Sequence, residues 1–204
     1  METKAVKRAN GLETQRTLLA AAGAVFSRMA YADARLKDIA EEAGISQGSL
    51  YFHFGNKDDV ARAVLTVQQE RMAQVLTVVQ ARPGSALDCI LGLFDGLAEL
   101  IAMDELVQAG IRLSMQPATG LEIYSSTPYA AWVDVAAAVV RDGVADGSMA
   151  ADLEVRATAE LLNEIFVGAQ VLSGLEDKWA SLPRRVAAAH MAIRMLLTSS
   201  RRAE

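Results

Sequence analysis

The stretch DIAEEAGISQGSLYFHFGNK, Asp38 to Lys57, concentrates residue types that can read a base edge or hold a phosphate. Gln47 can pair with adenine through two hydrogen bonds, and Ser49 can serve several bases. Lys37 and Lys57 begin helices, at positive dipole ends that disfavour a cation unless an anion lies close by. Each is either a solvated surface charge or a phosphate contact, and within this stretch the phosphate contact is the stronger reading.

The elements that must position these residues are short. Ile39, Ala40 and Ala43 predict a helix over Lys37–Ala43, Gly44 ends it, and Ser46 is a good N-cap for a second helix over Gln47–Phe54. Two such helices joined by a three-residue, glycine-containing link have helix-turn-helix spacing. Ile39, Ile45 and Leu50 hold the angle from inside. Gln47, Gly48, Ser49 and Tyr51 are then displayed at the start of the helix that enters the major groove. Upstream, Leu18, Leu19, Ala22, Val25 and Phe26 predict a helix over Glu13–Arg28. Downstream, Asn56 caps a long helix that stops at Arg82-Pro83-Gly84.

Beyond Pro83 the apolar spacing is helical over Ala86–Met103, Glu105–Met115, Pro128–Asp146, Asp152–Ser173 and Pro183–Ser199. Gln116–Thr127 reads as a loop, and Gly147 and Gly174 mark helix ends. About nine helices and no strand-like alternation make the fold all-α. Residues 1–58 are expected to form the helix-turn-helix head, with 1–12 a flexible basic arm, and residues 59–204 a helical body.

The whole chain of 204 residues is 52% hydrophobic and 22% charged, a foldable composition. Only 11 residues are aromatic, which favours helix over strand. A single cysteine, Cys89, excludes an internal disulfide framework and reads as a buried, inert thiol. His53 and His190 match no metal-ligand spacing, so neither metal nor cofactor is expected, and His190 reads as a core or interface residue. There is no glycine-rich phosphate loop and no nucleophile–base pair, which argues against an enzyme. No apolar run approaches the ~18 residues of a membrane span, and no signal peptide is evident, so a cytoplasmic, membrane-free protein is expected. Residues 1–62 carry nine Lys/Arg against eight Asp/Glu, and residues 63–204 eleven against seventeen. An acidic body with a mildly basic head is compatible with DNA binding by the head alone.

DIAEEAGIS and GSLYFHFGNKDDVARAV, lying together near an N-terminus, resemble the DNA-binding domain of the TetR family of transcriptional regulators. The resemblance implies a three-helix head, a fourth helix linking it to a ligand-binding and dimerising body, and double-stranded DNA as partner. Ser46, Gln47, Gly48, Ser49, Tyr51, His53 and Lys57 match the family's DNA-contacting stretch; Gln47 is implied to read a base, and Tyr51 and His53 mainly to touch backbone. Two positions depart from the pattern. Ala30-Tyr31 stands where Gly-Tyr is usual, and Arg35 where a capping Thr is usual. Loss of that cap costs ~1 kcal/mol, and Arg35 instead offers a phosphate contact.

QAGIRLSMQ (Gln108–Gln116), PYAAW (Pro128–Trp132) and LPRRV (Leu182–Val186) resemble the γ-butyrolactone autoregulator receptors of actinomycetes, as do YFHF and ARAVL in the head. That implies ligand contact for Trp132 and for Tyr129 one turn earlier; Gln116 and Met115 are further candidates for a ligand pocket. Trp132 lies on an otherwise Ala/Val-rich helix, where its ring either roofs an apolar pocket or is ordinary core. Asn163 and Gln170, polar groups on an apolar helix, either bond a lactone or are satisfied within the core. Val155, Leu162, Ile165, Phe166 and Ala169, with Val186, Ala189, Ile193 and Leu197, give the last two long helices apolar stripes suited to a homodimer. The expected function is a repressor released from a palindromic operator by a small apolar effector, of γ-butyrolactone type. The alternatives are a repressor sensing a drug, fatty-acyl or other hormone-like compound, and a helical protein with no role on DNA.

Overall fold

The computed structural model describes residues 2–116 and 123–199, with the backbone alone for 2–10, 12 and 123–128. Among them are nine helices and no strand: α1 Glu2–Arg28, α2 Leu36–Glu42, α3 Gln47–His53, α4 Lys57–Gln80, α5 Ala86–Met103, α6 Glu105–Met115, α7 Ile123–Asp146, α8 Val155–Asp177 and α9 Leu182–Thr198. None of these helices is long and apolar enough to cross a membrane.

The chain forms two compact units, Met1–Arg71 with Asp104–Ser125, and Met72–Met103 with Ser126–Glu204. Compactness therefore divides the chain inside α4 and not at the expected 58/59. It also places α6 in the N-terminal unit, where Leu106, Ala109 and Leu113 join the core made by Leu18, Ala22 and Phe26 of α1, Ile39 of α2, Leu50 of α3 and Val64 of α4. Gly23 explains the closeness of α1 and α6: a Cβ there would stand 3.3 Å from the Leu106 Cα. Asp104 starts α6 by accepting from the Leu106 and Val107 N–H groups at 3.0 and 3.2 Å, and pairs with Arg71.

Helix α1 begins at Glu2, so residues 2–12, expected as a flexible arm, carry helical backbone. Lys, Arg, Glu and Ala are strong helix formers, and one interior glycine, Gly11, costs only ~1 kcal/mol. Helix α7 begins at Ile123, five residues before Pro128. The rest of the expected loop, residues 117–122, lies outside the described residues.

In the second unit α5, whose apolar face includes Ile90, Leu93, Phe94, Leu97 and Ile101, packs against α9, and Phe94 meets Phe166 of α8. Buried Val133 and Ala136 of α7, Leu162 and Phe166 of α8, and Val186, Ile193 and Leu197 of α9 complete that core. Gly174 does not end α8, which continues to Asp177. It leaves room for the Trp179 ring, whose nearest atom would lie 2.8 Å from a Cβ at that position.

Candidate nucleic-acid interface and apolar cavity

The link between α2 and α3 is built by local chemistry. Gly44 takes φ +66°, a left-handed conformation that glycine adopts without steric cost. The Gly44 N–H donates to the Glu41 carbonyl at 3.1 Å, and the Ile45 N–H to the Ala40 carbonyl at 3.0 Å. Ser46 Oγ then accepts the Ser49 N–H at 3.1 Å, starting α3. Fully buried Leu50 fixes which side of α3 faces in. Gln47, Gly48 and Tyr51 are exposed as a result, while Ser49 and His53 are half-buried. Phe52, which the sequence reading did not single out, is 86% exposed and meets the His53 ring edge-on at 5.4 Å. The signal was available: Leu50 and Phe54, four apart and both buried, leave positions 51 and 52 no way to point but out.

The cations divide. Arg35 is exposed, and it is the Asp38 carboxylate that accepts the Arg35 N–H, at 2.8 Å; the guanidinium has no acceptor atom with which to cap. Lys37 makes an exposed pair with Glu41 at 3.5 Å, the kind worth about 0–1 kcal/mol. Lys57 departs from the phosphate contact expected of it. Its Nζ donates to the carbonyls of Tyr31 at 2.7 Å, Ala34 at 2.9 Å and Ala32 at 3.5 Å, and lies 4.3 Å from the centre of the Tyr31 ring. An ammonium has three donors, and here all are engaged in holding the α1–α2 loop.

Gln116 departs in the same direction. It was expected at the ligand, yet its Oε1 accepts the Tyr31 N–H at 2.7 Å within the N-terminal unit. Buried Tyr31 also donates its hydroxyl to Asp58, and burial followed by that partner pushes its pKa well above the ordinary tyrosine value. Met115 likewise belongs to the N-terminal unit and is 53% exposed.

The second unit encloses a cavity of about 90 Å³. Helix α5 contributes Ile90, Leu93, Phe94 and Leu97, α7 contributes Tyr129, Trp132 and Ala136, and α8 contributes Asn163, Phe166, Val167 and Gln170; Met72 completes the wall. Four of the six residues expected at a ligand thus meet in one place. Phe94 and Phe166 stack obliquely at 5.1 Å along one side. Asn163 Nδ2 donates to the Ala159 carbonyl at 3.0 Å and the Trp132 carbonyl at 3.5 Å. Among the described residues no charged side chain lines this cavity. Two roomier hollows, about 430 and 610 Å³, instead carry carboxylates on their walls, Asp88, Asp142 and Asp146 in one and Asp152 and Glu154 in the other. The first also holds half-buried Cys89, whose thiol pKa is raised by burial and then by Asp142. No group of His, Cys, Asp and Glu among the described residues can hold a metal ion.

Helices α8 and α9 also present an apolar outer surface. Leu161, Ile165, Gly168, Leu172 and Leu175 follow one another at alternating four- and three-residue steps, with Leu175 80% exposed. Met191 and Met195 of α9 are exposed as well. Several residues expected at a dimer contact are not part of this surface: Leu162, Phe166, Val186, Ile193 and Leu197 are buried within the unit's own core. Helix α8 is apolar on two sides, and the monomer takes one of them.

Residues 18–64 match the model for bacterial regulatory proteins of the tetR family, and residues 84–198 the model for the tetracyclin repressor-like C-terminal domain. The A-factor receptor protein of Streptomyces griseus is 27% identical over 181 residues, which is 89% of this chain and 62% of the receptor, so the match spans less than two thirds of that relative. Among solved structures, CprB from Streptomyces coelicolor in complex with its biological operator sequence superposes with a TM-score of 0.76 at 26% identity, over 90% of this chain and 88% of that one. A gamma-butyrolactone receptor (ArpA-like protein) superposes with a TM-score of 0.69 at 25% identity, over 88% and 98%.

Proposed function

Because the chain belongs to the TetR family of bacterial regulatory proteins, we propose that it is a homodimeric repressor released from a palindromic operator by a γ-butyrolactone-type autoregulator. The observation that carries the effector half is the convergence of Tyr129, Trp132, Asn163 and Gln170 on one uncharged cavity. Apolar walls with a few polar groups are what a small neutral ligand needs. The likeness to the A-factor receptor and to a gamma-butyrolactone receptor supports the same reading.

On the DNA side, α3 enters the major groove with Gln47 on a base edge. Ser49, Gly48, Tyr51 and His53 pack against the groove walls, while Arg35 and Lys37 meet phosphates. Ser46 caps α3 and Lys57 fixes the α1–α2 loop, so both position the reading helix. The outer surface of α8 and α9 pairs two protomers, with Gly168 admitting a close approach. Two heads then reach half-sites about one helical turn apart, and each weak contact gains from the other's effective concentration.

Release is a matter of linkage. If the effector binds better to a dimer whose heads are spaced wrongly for DNA, the operator must by reciprocity bind the loaded dimer more weakly. Helix α4, which carries Lys57 at its start and Met72 further along, is the element assigned to transmit the shift. A cavity of about 90 Å³ is below the ~300 Å³ usual for ligand sites. A lactone with an acyl chain must therefore displace lining side chains as it enters, which gives it the differential affinity for two states that a switch requires. The same small volume favours one rival, a TetR-family repressor for a smaller effector of another class.

The test is selection of bound fragments from genomic DNA, with affinity read at two salt concentrations and with and without an acyl γ-butyrolactone. Palindromic winners, a steep fall in affinity with salt, and a tenfold or greater loss with the lactone are expected. Palindromes that ignore the lactone would leave the repressor and remove this effector. Failure to select any sequence at low salt would remove the repressor too.

A further inference from the structure

We infer that the cavity takes an uncharged ligand that presents a hydrogen-bond donor, in practice a hydroxyl, to Oδ1 of Asn163. The inference rests on reading the cavity as the effector site. Among the described residues no Asp, Glu, Lys, Arg or His lines it, so an ionised ligand would lose its hydration without gaining a counter-charge from them.

The polarity of the one fixed polar group follows from its neighbours. Asn163 Nδ2 faces two carbonyl oxygens, those of Ala159 at 3.0 Å and Trp132 at 3.5 Å. Turning the amide over would set Oδ1 against the same two oxygens, and all three can only accept. Chemistry therefore fixes the nitrogen toward the two carbonyls and leaves Oδ1 of this cavity-lining residue as the atom with accepting capacity to spare. The rest of the wall does not impose this polarity: the Trp132 indole only donates, while the Tyr129 hydroxyl and the Gln170 amide can each donate or accept. A ligand oxygen that meets Asn163 as a ketone puts acceptor against acceptor. The same oxygen as an alcohol makes the bond. Asn163 is thus a specificity-determining residue, and it selects alcohol over ketone in ligands of one skeleton.

Isothermal titration of the purified full-length dimer tests this with two matched pairs and one ion. The first pair is 2-octanol and 2-octanone; the second is a pair of acyl γ-butyrolactones differing only in a side-chain hydroxyl or keto group; octanoate is the ion. The alcohol of each pair is expected to bind about tenfold more tightly than its ketone, the difference one unmatched buried polar group makes. Octanoate is expected to bind more weakly than 2-octanol. Asn163→Leu is expected to bring the alcohol-to-ketone ratio to about one by weakening the alcohol. Should that variant not fold, the ratio on the unaltered protein decides alone. A ketone that binds as well as its alcohol, or octanoate binding more tightly than 2-octanol, overturns the inference, as does a failure of every probe to bind. If 2-octanol is preferred and neither lactone binds, the inference stands and the butyrolactone effector falls. If both lactones bind equally and release the operator, the effector stands and the inference falls.

Discussion

Gln47 and Trp132 each stand at the centre of a proposed binding surface, yet they hold it in opposite ways. Gln47 is exposed on a helix that fully buried Leu50 anchors from beneath. Gln47 and Tyr51 are exposed while Leu50 does the packing, so display and packing fall on different side chains. Trp132 is half-buried, and the wall it belongs to includes Ile90, Leu93, Phe94 and Phe166, which are buried core. There the binding site is a part of the core left incompletely filled. The first surface can change what it recognises without changing stability. The second cannot be altered without repacking the unit, which is also why a ligand in it can move structure.

The largest expected effect tests the anchor. Leu50→Ala is expected to cost about 2–5 kcal/mol of stability in denaturant titration, since the side chain is fully buried. Operator binding should vanish with it. The next effect is smaller and of a different kind. Gln47→Ala should lower operator affinity by ~1–3 kcal/mol while stability stays within about 0.5 kcal/mol. If Gln47→Ala destabilised the chain as Leu50→Ala does, display and packing would not be separate in the head. In the second unit, Ala136→Phe should lower stability by ~1–3 kcal/mol, because the ring fills a cavity of about 90 Å³ and presses on the core side chains around it. It should keep operator affinity and abolish release by ligand. Loss of operator binding in that variant would show that the cavity's packing sets the DNA-competent state by itself.

How much of this was legible in the sequence follows the same division. The head depends on signals a few residues apart: Gly44 for the turn, Ser46 for the cap, and Leu50 with Phe54 for the inward face. Lys57 defeated that local reading because its acceptors, the carbonyls of Tyr31 and Ala34, lie more than twenty residues back. Gln116 did so because its partner is Tyr31, far upstream. Cavity membership depends on which helices meet, and spacing alone does not say that residues as far apart as Met72 and Gln170 share a wall. Four of its members were nonetheless identified, Trp132 and Tyr129 through a resemblance and Asn163 and Gln170 as polar residues on an apolar helix. The surface proposed for the dimer shows the limit of periodicity. On α8, Leu162 and Phe166 share one face and Leu161, Ile165 and Leu172 another, and only tertiary packing decides which is turned inward.

The smallest expected effects concern pH, and they place the two units on opposite limbs. Tyr31 in the head has a raised pKa through burial and its bond to Asp58, so the folded chain holds that proton more tightly than the unfolded one. Its contribution is complete below the ordinary tyrosine value of about 10 and is lost as pH climbs toward the folded one. In the second unit the carboxylates of Asp88 and Asp146 have lowered pKa values. Ser85 and then Arg194 act on Asp88, and Ser148 with the Ala86 N–H act on Asp146. Their contribution is complete above the ordinary carboxylate value and disappears as pH falls through the lowered ones. Both tryptophans, Trp132 and Trp179, lie in the second unit. Their fluorescence reads that unit alone, and hydrogen exchange at the α1–α3 amides reads the head. Denaturant titrations across pH should then show the head amides losing protection first in alkali and the tryptophan transition weakening first in acid. Tyr31→Phe should flatten only the alkaline limb, and Asp146→Asn only the acid one. If both signals move together on both limbs, the units unfold as one cooperative body, and the separation of the reading surface from the ligand-holding core would have to be abandoned.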